Sequence, residues 1–197
     1  MAGERNNYKR AWFWRRTREL DARRFRFIDE SGSNLSLTPR YGRAPRGERV
    51  TERVPRNYGQ QTSVISTIGM AGVAATFTVE GAVDTAVFNI YVECVLRPTI
   101  EAGDILVLDN LSAHRASCLE QVAAECGALV IWLPPYSPDF SPIELRWSKI
   151  KTALRAAKAR TREELERALV AALALVTLTD CEGWFRHCGY QVTPNCN

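Results

Sequence analysis

Residues 104–110 read DILVLDN, and residues 129–134 read LVIWLP. Each is a short unbroken apolar run, the pattern of a strand buried on both faces in the middle of a sheet. Between them stands SCLEQVAAECG, residues 117–127. There Ser117 and Glu120 have the spacing of a capping box, and Leu119, Val122, Ala123 and Cys126 make an apolar stripe at helical spacing. Gly127 supplies the stop. Strand, helix and strand in this order make a crossover unit, which implies an α/β layered domain.

Upstream, RFRFIDES (24–31) alternates Phe25 and Phe27 with Arg26 and Ile28, and predicts a short strand ending near Asp29. Residues 31–62 are rich in Gly, Pro, Ser and Arg and read as loops around a short strand. The β-rich runs SVISTIGM (63–70) and VAATFTVEGAV (73–83) meet around Gly69–Gly72, which predicts a hairpin. TAVFNIYVECVLRPTI (85–100) reads as a helix that Pro98 ends, despite its β-branched content. Downstream, the loop PPYSPDFSP (134–142) leads into IELRWSKIKTALRAAK (143–158). That helix carries an apolar stripe of Ile143, Trp147, Ile150 and Leu154. Thr161 with Glu164 starts a further helix, with Leu165, Leu169, Leu173 and Val176 inward. Thr179 with Glu182 is expected to cap a last short one.

The length of 197 residues suits one sizeable domain with a short arm. Hydrophobic residues at 46% and charged residues at 24% are ordinary for a globular chain and exclude a disordered or fibrous one. No apolar run is long enough to span a bilayer, and the charged N-terminus lacks a signal core, so a cytoplasmic protein without a membrane partner is expected. The net charge of +4 is unevenly placed. Residues 1–26 hold nine Lys or Arg against three acids, a net of +6, so the remainder sums to −2. Residues 1–24 therefore read as a basic arm or linker that could be helical, residues 25–190 as the body and residues 191–197 as a tail. A basic arm on a near-neutral body suits a polyanionic partner; a solvated arm explains the same charges. The six cysteines include no C-x-x-C pair and read as reduced thiols, several in the core.

Three acids stand where an α/β sheet places ligand groups. Asp29 closes the first strand, Asp109 closes a buried strand, and Glu144 opens a helix. Three such carboxylates suit phosphoryl transfer with two divalent metals. Mg²⁺ prefers carboxylate, water and phosphate oxygens, and a bound cation relieves the repulsion within an acidic cluster. Each acid also has a plainer reading: Asp29 as a turn residue, Asp109 as a loop cap, and Glu144 as the partner of Ser141 in a capping box with Pro142 at the first helical position.

FIDES (27–31), then VLDNLSAH (107–114), then LPPYSPDFSPIELRWSKIK (133–151) resembles the DDE endonuclease domain of the bacterial insertion-sequence branch of the mariner superfamily. The thirty-four residues between Asp109 and Glu144 and the ending WFRHCGY (184–190) are similar to that family as well. The resemblance covers about residues 25–190, and its most specific part is the PPYSP…PIE block. It implies a ribonuclease-H-like fold, a mixed central sheet flanked by helices. It also implies a DDE transposase that cuts and joins DNA using two Mg²⁺ or Mn²⁺ ions. Asp29, Asp109 and Glu144 match the family's metal-binding acids. Ser141 stands where the family usually has Asn, and both are good helix caps. The family usually carries an N-terminal helix-turn-helix region that reads the element's ends, and this chain starts almost at the catalytic domain. Expected partners are therefore DNA, as transposon ends and target, a second copy in a homodimer, and a separate helix-turn-helix subunit or N-terminal half. A non-catalytic DNA-binding remnant is the competing reading.

Arg146, Lys149, Lys151 and Arg155 on the helix after Glu144 are candidate phosphate contacts, as are Arg40, Arg43 and Arg46 in the Pro/Gly-rich loop. Asn110 and His114, just after Asp109, are candidates to orient metal-bound water; a polar turn is their alternative.

Overall fold

The computed structural model describes residues 6–56, 59, 61–109 and 117–192. Five strands form one mixed sheet in the order β3-β2-β1-β4-β5. They are β1 (Phe25–Ser33), β2 (Thr62–Gly69), β3 (Gly72–Glu80), β4 (Ile105–Leu108) and β5 (Leu129–Trp132). The first three pair antiparallel, while β1–β4 and β4–β5 pair parallel. This is the α/β layered sheet expected from the two apolar runs. The β2–β3 hairpin turns at Met70–Ala71, and Gly72 accepts the φ of 110° that the turn requires.

Among the described residues six α-helices cover the two faces: α1 (Asn7–Thr17), α2 (Thr85–Ile90), α3 (Ser117–Glu125), α4 (Pro142–Ala157), α5 (Arg162–Ala174) and α6 (Leu178–His187). The sheet divides two cores by side-chain parity. Phe25, Phe27, Ile105, Val107 and Ile131 point into the first, with Ile143, Trp147, Ile150 and Leu154 of α4, Leu165 and Leu169 of α5, and Phe185 of α6. Ile28, Leu106 and Leu108 point into the second, with Phe88, Tyr91 and Leu96 and with Leu119 and Val122 of α3. Both apolar stripes expected of α3 and α4 thus lie inward. Helix α3 ends as expected: Gly127 takes a φ of 72°, and Ala128 N donates to Ala123 O at 2.8 Å.

Several expectations are corrected. Strand β1 does not stop near Asp29; it runs on to Ser33 because β2 still pairs with it there. Among the described residues 34–61 there is no strand. The helix over 85–100 changes its winding: α2 is followed by a π-helix (Tyr91–Leu96) and a 3₁₀ turn (Arg97–Thr99) that contains Pro98. The last helix is capped by Thr177 with Asp180, two residues before the expected Thr179 and Glu182. Cys181 and Phe185 of this helix are buried in the core, and Asp180 also pairs with Lys149 at 2.5 Å.

The largest difference is at the N-terminus. Residues read as a basic arm form α1, which is seated on the domain. Phe13 is fully buried and stacks on Phe140 at 5.5 Å between ring centroids; Trp14 packs on Phe140 and Tyr190. A Cβ on Gly189 would meet the Trp14 ring at 2.6 Å, so only glycine admits this contact. Cys94, Cys118, Cys126, Cys181 and Cys188 are free, with Cys181 and Cys188 buried. Among the described residues no single helix is long and apolar enough to cross a membrane.

Candidate active site

Parity and register bring two of the acids together. Phe27 pairs with Val107 across the parallel β1–β4 ladder. Asp29 and Asp109 each stand two residues further on, so both continue the face that carries Phe25, Phe27, Ile105 and Val107. That is the face covered by α4. The third acid arrives from above on the first turn of that helix. Asp29, Asp109 and Glu144 accordingly line one cavity of about 510 Å³, walled by Ile28, Leu133, Pro134, Pro135 and Pro138.

The competing role of Glu144 as a cap is not realised. Ser141 is the N-cap of α4, but its side chain makes no capping hydrogen bond, in contrast to the complete boxes at Thr161 and Thr177. Pro142 at the first helical position lacks an N–H, and Glu144 N turns instead to Ser141 O at 3.2 Å. The exposed carboxylate of Glu144 is left to the cavity.

Asp29 is the acid most changed by its surroundings. Burial, and then the charges of Glu144 and Asp109, push its carboxyl up to about 7; the Glu30 backbone N–H and the Trp147 indole oppose this. Trp147 Nε1 donates to Asp29 Oδ2 at 3.0 Å. Behind this pair lies Arg146, fully buried, with its guanidinium 4.3 Å from the centre of the Trp147 ring. None of its three guanidinium nitrogens has a hydrogen-bond partner, and burial lowers its pKa to about 10. The expectation that Arg146 contacts phosphate is therefore corrected: it is an internal cation. The helical phase carries the signal, since Arg146 lies three residues after Ile143 and four before Ile150, on the inward stripe.

Of the other basic candidates, Lys149 is held by Asp180. Lys151 and Arg155 are half-buried on α4, and Arg40, Arg43 and Arg46 are exposed in the loop after β1. That loop is tied down by Thr38 donating to Glu52 at 2.6 Å and by a 2.7 Å ion pair of Glu52 with Lys158. Asn110 and His114 lie outside the described residues.

Two contributors had no sequence reading as site residues. Trp147 was read only as core. Arg10, read as part of the arm, is buried and reaches the loop before α4. It donates to Ser137 Oγ at 2.6 Å, makes a two-pronged pair with Asp139 at 3.0 and 2.5 Å, and lies 4.0 Å over the Phe140 ring. Helix α1 thus holds the wall of the cavity. Tyr136 in that wall has a φ of 51°, an uncommon backbone state for a residue with a side chain.

The donor set fits a hard divalent cation: three carboxylates, no sulfur, and an electrostatic excess that raises Asp29. Among the described residues no three His, Cys, Asp or Glu side chains are gathered closely enough to hold an ion as they stand.

Comparison with known proteins gives the family and the fold. Residues 24–166 match the family of DDE superfamily endonucleases, and the chain belongs to that family. Its fold is that of the Mos1 mariner transposase catalytic domain, with a TM-score of 0.63 at 15% identity, over 92% of this chain and 83% of that one. The Mos1 transposase paired-end complex with left transposon end gives a TM-score of 0.67 at 19% identity, over 93% of this chain and 56% of that one. The mariner Mos1 paired end complex with Mg gives 0.66 at 19% identity, over 92% and 56%. This chain therefore spans little more than half the length of the transposase in those complexes. No curated protein sequence matches it significantly.

Proposed function

We propose that this chain is the catalytic domain of a transposase. It cuts DNA at the ends of a mobile element and joins the freed ends to target DNA. Asp29, Asp109 and Glu144 are the carboxylates that hold Mg²⁺ or Mn²⁺, two ions per site. The observation that carries this reading is a single cavity lined by three acids from three separate stretches of the chain, one of them pushed up to about 7 by burial and by the other two. Membership of the endonuclease family supports it, as do the Mos1 structures with Mg and with Mn. When bound, such ions supply activation of the attacking oxygen and stabilisation of the leaving one.

The chain's own residues supply position. Asp29 in β1 and Asp109 just past the end of β4 are read as neighbours because those two strands pair in parallel, and the Trp147 N–H donates to one oxygen of Asp29. Glu144, freed from capping, closes the set from α4. Leu133, Pro134, Pro135 and Pro138 form an apolar, conformationally stiff wall that limits water near the reacting phosphate. Lys151, Arg155, Arg40, Arg43 and Arg46 are the proposed phosphate contacts, with Asn110 and His114 beside Asp109 orienting water. The partners are DNA, a second copy of the chain, and a helix-turn-helix segment or subunit that reads the ends. The setting is the bacterial cytoplasm, on the nucleoid.

The test is cleavage of DNA by the purified chain in Mg²⁺ or Mn²⁺, with Asp109→Asn as control. Metal-dependent cutting that vanishes in Asp109→Asn, at an unchanged melting temperature, is the expected result. A folded wild-type chain that binds DNA but never cuts it, with either metal, overturns the enzymatic reading in favour of a binding remnant.

A further inference from the structure

A second concavity, of about 370 Å³, lies beside the acidic cavity and shares its wall. Tyr8, Lys9, Trp12 and Phe13 of α1 form one side; Trp132, Leu133, Pro134 and Pro135 form the other. Leu133, Pro134 and Pro135 line both cavities, so the two are back to back across a single stretch of chain.

The lining exceeds what the fold needs. Phe13, fully buried against Phe140, anchors α1 together with Trp14 and Arg10, yet Tyr8 is 81% and Trp12 50% exposed at the mouth of the groove. Large aromatic rings left open to water around a concavity mark a binding surface. The rim is cationic. Helix α1 carries Lys9, Arg10, Arg15 and Arg16 and no acid, and the Arg16 guanidinium lies 5.1 Å over the Trp12 ring. Arg10 is committed to Asp139, but the remaining positive charge faces solvent beside the aromatic rings. Flat apolar faces framed by cations match a flat ring attached to a phosphate. An apolar protein segment would use the rings but would gain nothing from Lys9, Arg15 and Arg16.

We propose that this groove is a stacking subsite for an unpaired nucleobase of the DNA strand whose phosphate occupies the acidic cavity. The proposal rests on reading that cavity as the site of phosphoryl transfer. Tyr8, Trp12 and Trp132 supply the stacking faces, and Lys9 and Arg16 the contacts to the adjoining backbone. The subsite favours DNA ends that are already unpaired, because the base reaches the groove without the cost of opening a pair.

The test uses the full chain and two oligonucleotide duplexes with a short single-stranded extension. One carries normal bases in the extension and the other carries abasic residues at the same positions. Binding is followed by tryptophan fluorescence and by anisotropy in Ca²⁺, without turnover. The wild-type chain is expected to prefer the base-bearing extension, with quenched tryptophan emission. Trp12→Ala is expected to lower that affinity roughly tenfold and to leave the abasic duplex unaffected. Trp12→Phe is expected to restore most of the preference. Trp12 is half exposed, so Trp12→Ala is expected to keep the wild-type melting temperature. Equal binding of the two duplexes by the wild-type chain overturns the proposal. So does a Trp12→Ala variant that loses self-association while showing no dependence on the base, which would assign the groove to a second copy. Cleavage by the wild-type chain is scored separately, so a failed base preference in a chain that cuts condemns the groove alone, and a chain that never cuts condemns the acidic cavity first.

Discussion

Trp147 Nε1 donates to Oδ2 of Asp29 at 3.0 Å, joining residues 118 positions apart in sequence. The bond links the middle of β1 to the inward face of α4, and it engages the one acid of the cavity that burial most disfavours as an anion. Replacing Trp147 by Phe keeps most of the packing and removes the N–H. Metal dependence of cleavage is expected to shift to higher concentration by about 10-fold or more, as for other groups that orient metal ligands. Titrating activity against Mg²⁺, with a melting curve as control, checks this. An unchanged midpoint would show that the indole only fills space.

Asp29 gives the metal-free protein a characteristic dependence on pH. Its carboxyl lies at about 7 in the fold against 3.8 for a free aspartate side chain. A folded pKa above the unfolded one means that the fold is favoured while the group stays protonated. This contribution is complete below about pH 4 and is lost as pH rises through about 7. Its size is on the order of 2–4 kcal/mol. Without metal, and apart from other titrations, stability is expected to fall between those limits, and Asp29→Asn is expected to flatten that part of the profile. Urea melts at several pH values in EDTA read it directly.

Arg146 is predicted to be replaceable by Met with no loss of fold. A buried cation without a hydrogen-bond partner is costly, and an apolar side chain of similar volume removes that cost, so stability is expected to hold or to rise by about 1–4 kcal/mol. The slope of DNA affinity against salt is expected to be unchanged, since this guanidinium does not reach solvent. A slope that falls by about one unit would return Arg146 to the DNA surface.

The N-terminal helix belongs to the folded body, and truncation is the test. Phe13→Ala is expected to cost about 3–5 kcal/mol through the cavity it leaves. Arg10→Met is expected to act differently, lowering the cleavage rate more than the melting temperature, because it removes the bond that holds Ser137 in the wall of the acidic cavity. Equal loss of rate and stability in both variants would mean that Arg10 is structural only.

Much of this architecture was legible in the residues, and the failures share a cause. Strands β4 and β5 are readable because a strand buried on both faces needs an unbroken apolar run. Helices α4 and α5 are readable because one face repeats at helical spacing. The three acids stand out because charge at the edge of such elements needs a reason. What escaped depended on neighbours remote in the chain. Strand β1 extends past Asp29 only because β2 offers it a partner. The inward face of α1 is Arg10, Phe13 and Thr17, of which one residue is apolar, so its charges conceal its seat on Phe140 and Tyr190. The start of α6 was ambiguous because two Thr-x-x-acid patterns overlap, and the inward turn of Phe185 decides between them.

The two aspartates depend on the parallel pairing of β1 with β4, and Glu144 depends on α4 docking over that pair. Parallel pairing joins segments far apart in the chain, and the stretch between them must be closed before the pairing gains anything. The three carboxylates therefore come within reach of one another only when the last layer is in place. A chain whose α4 has not docked on the sheet has no such cavity, and a copy that opens that one layer takes the three carboxylates apart.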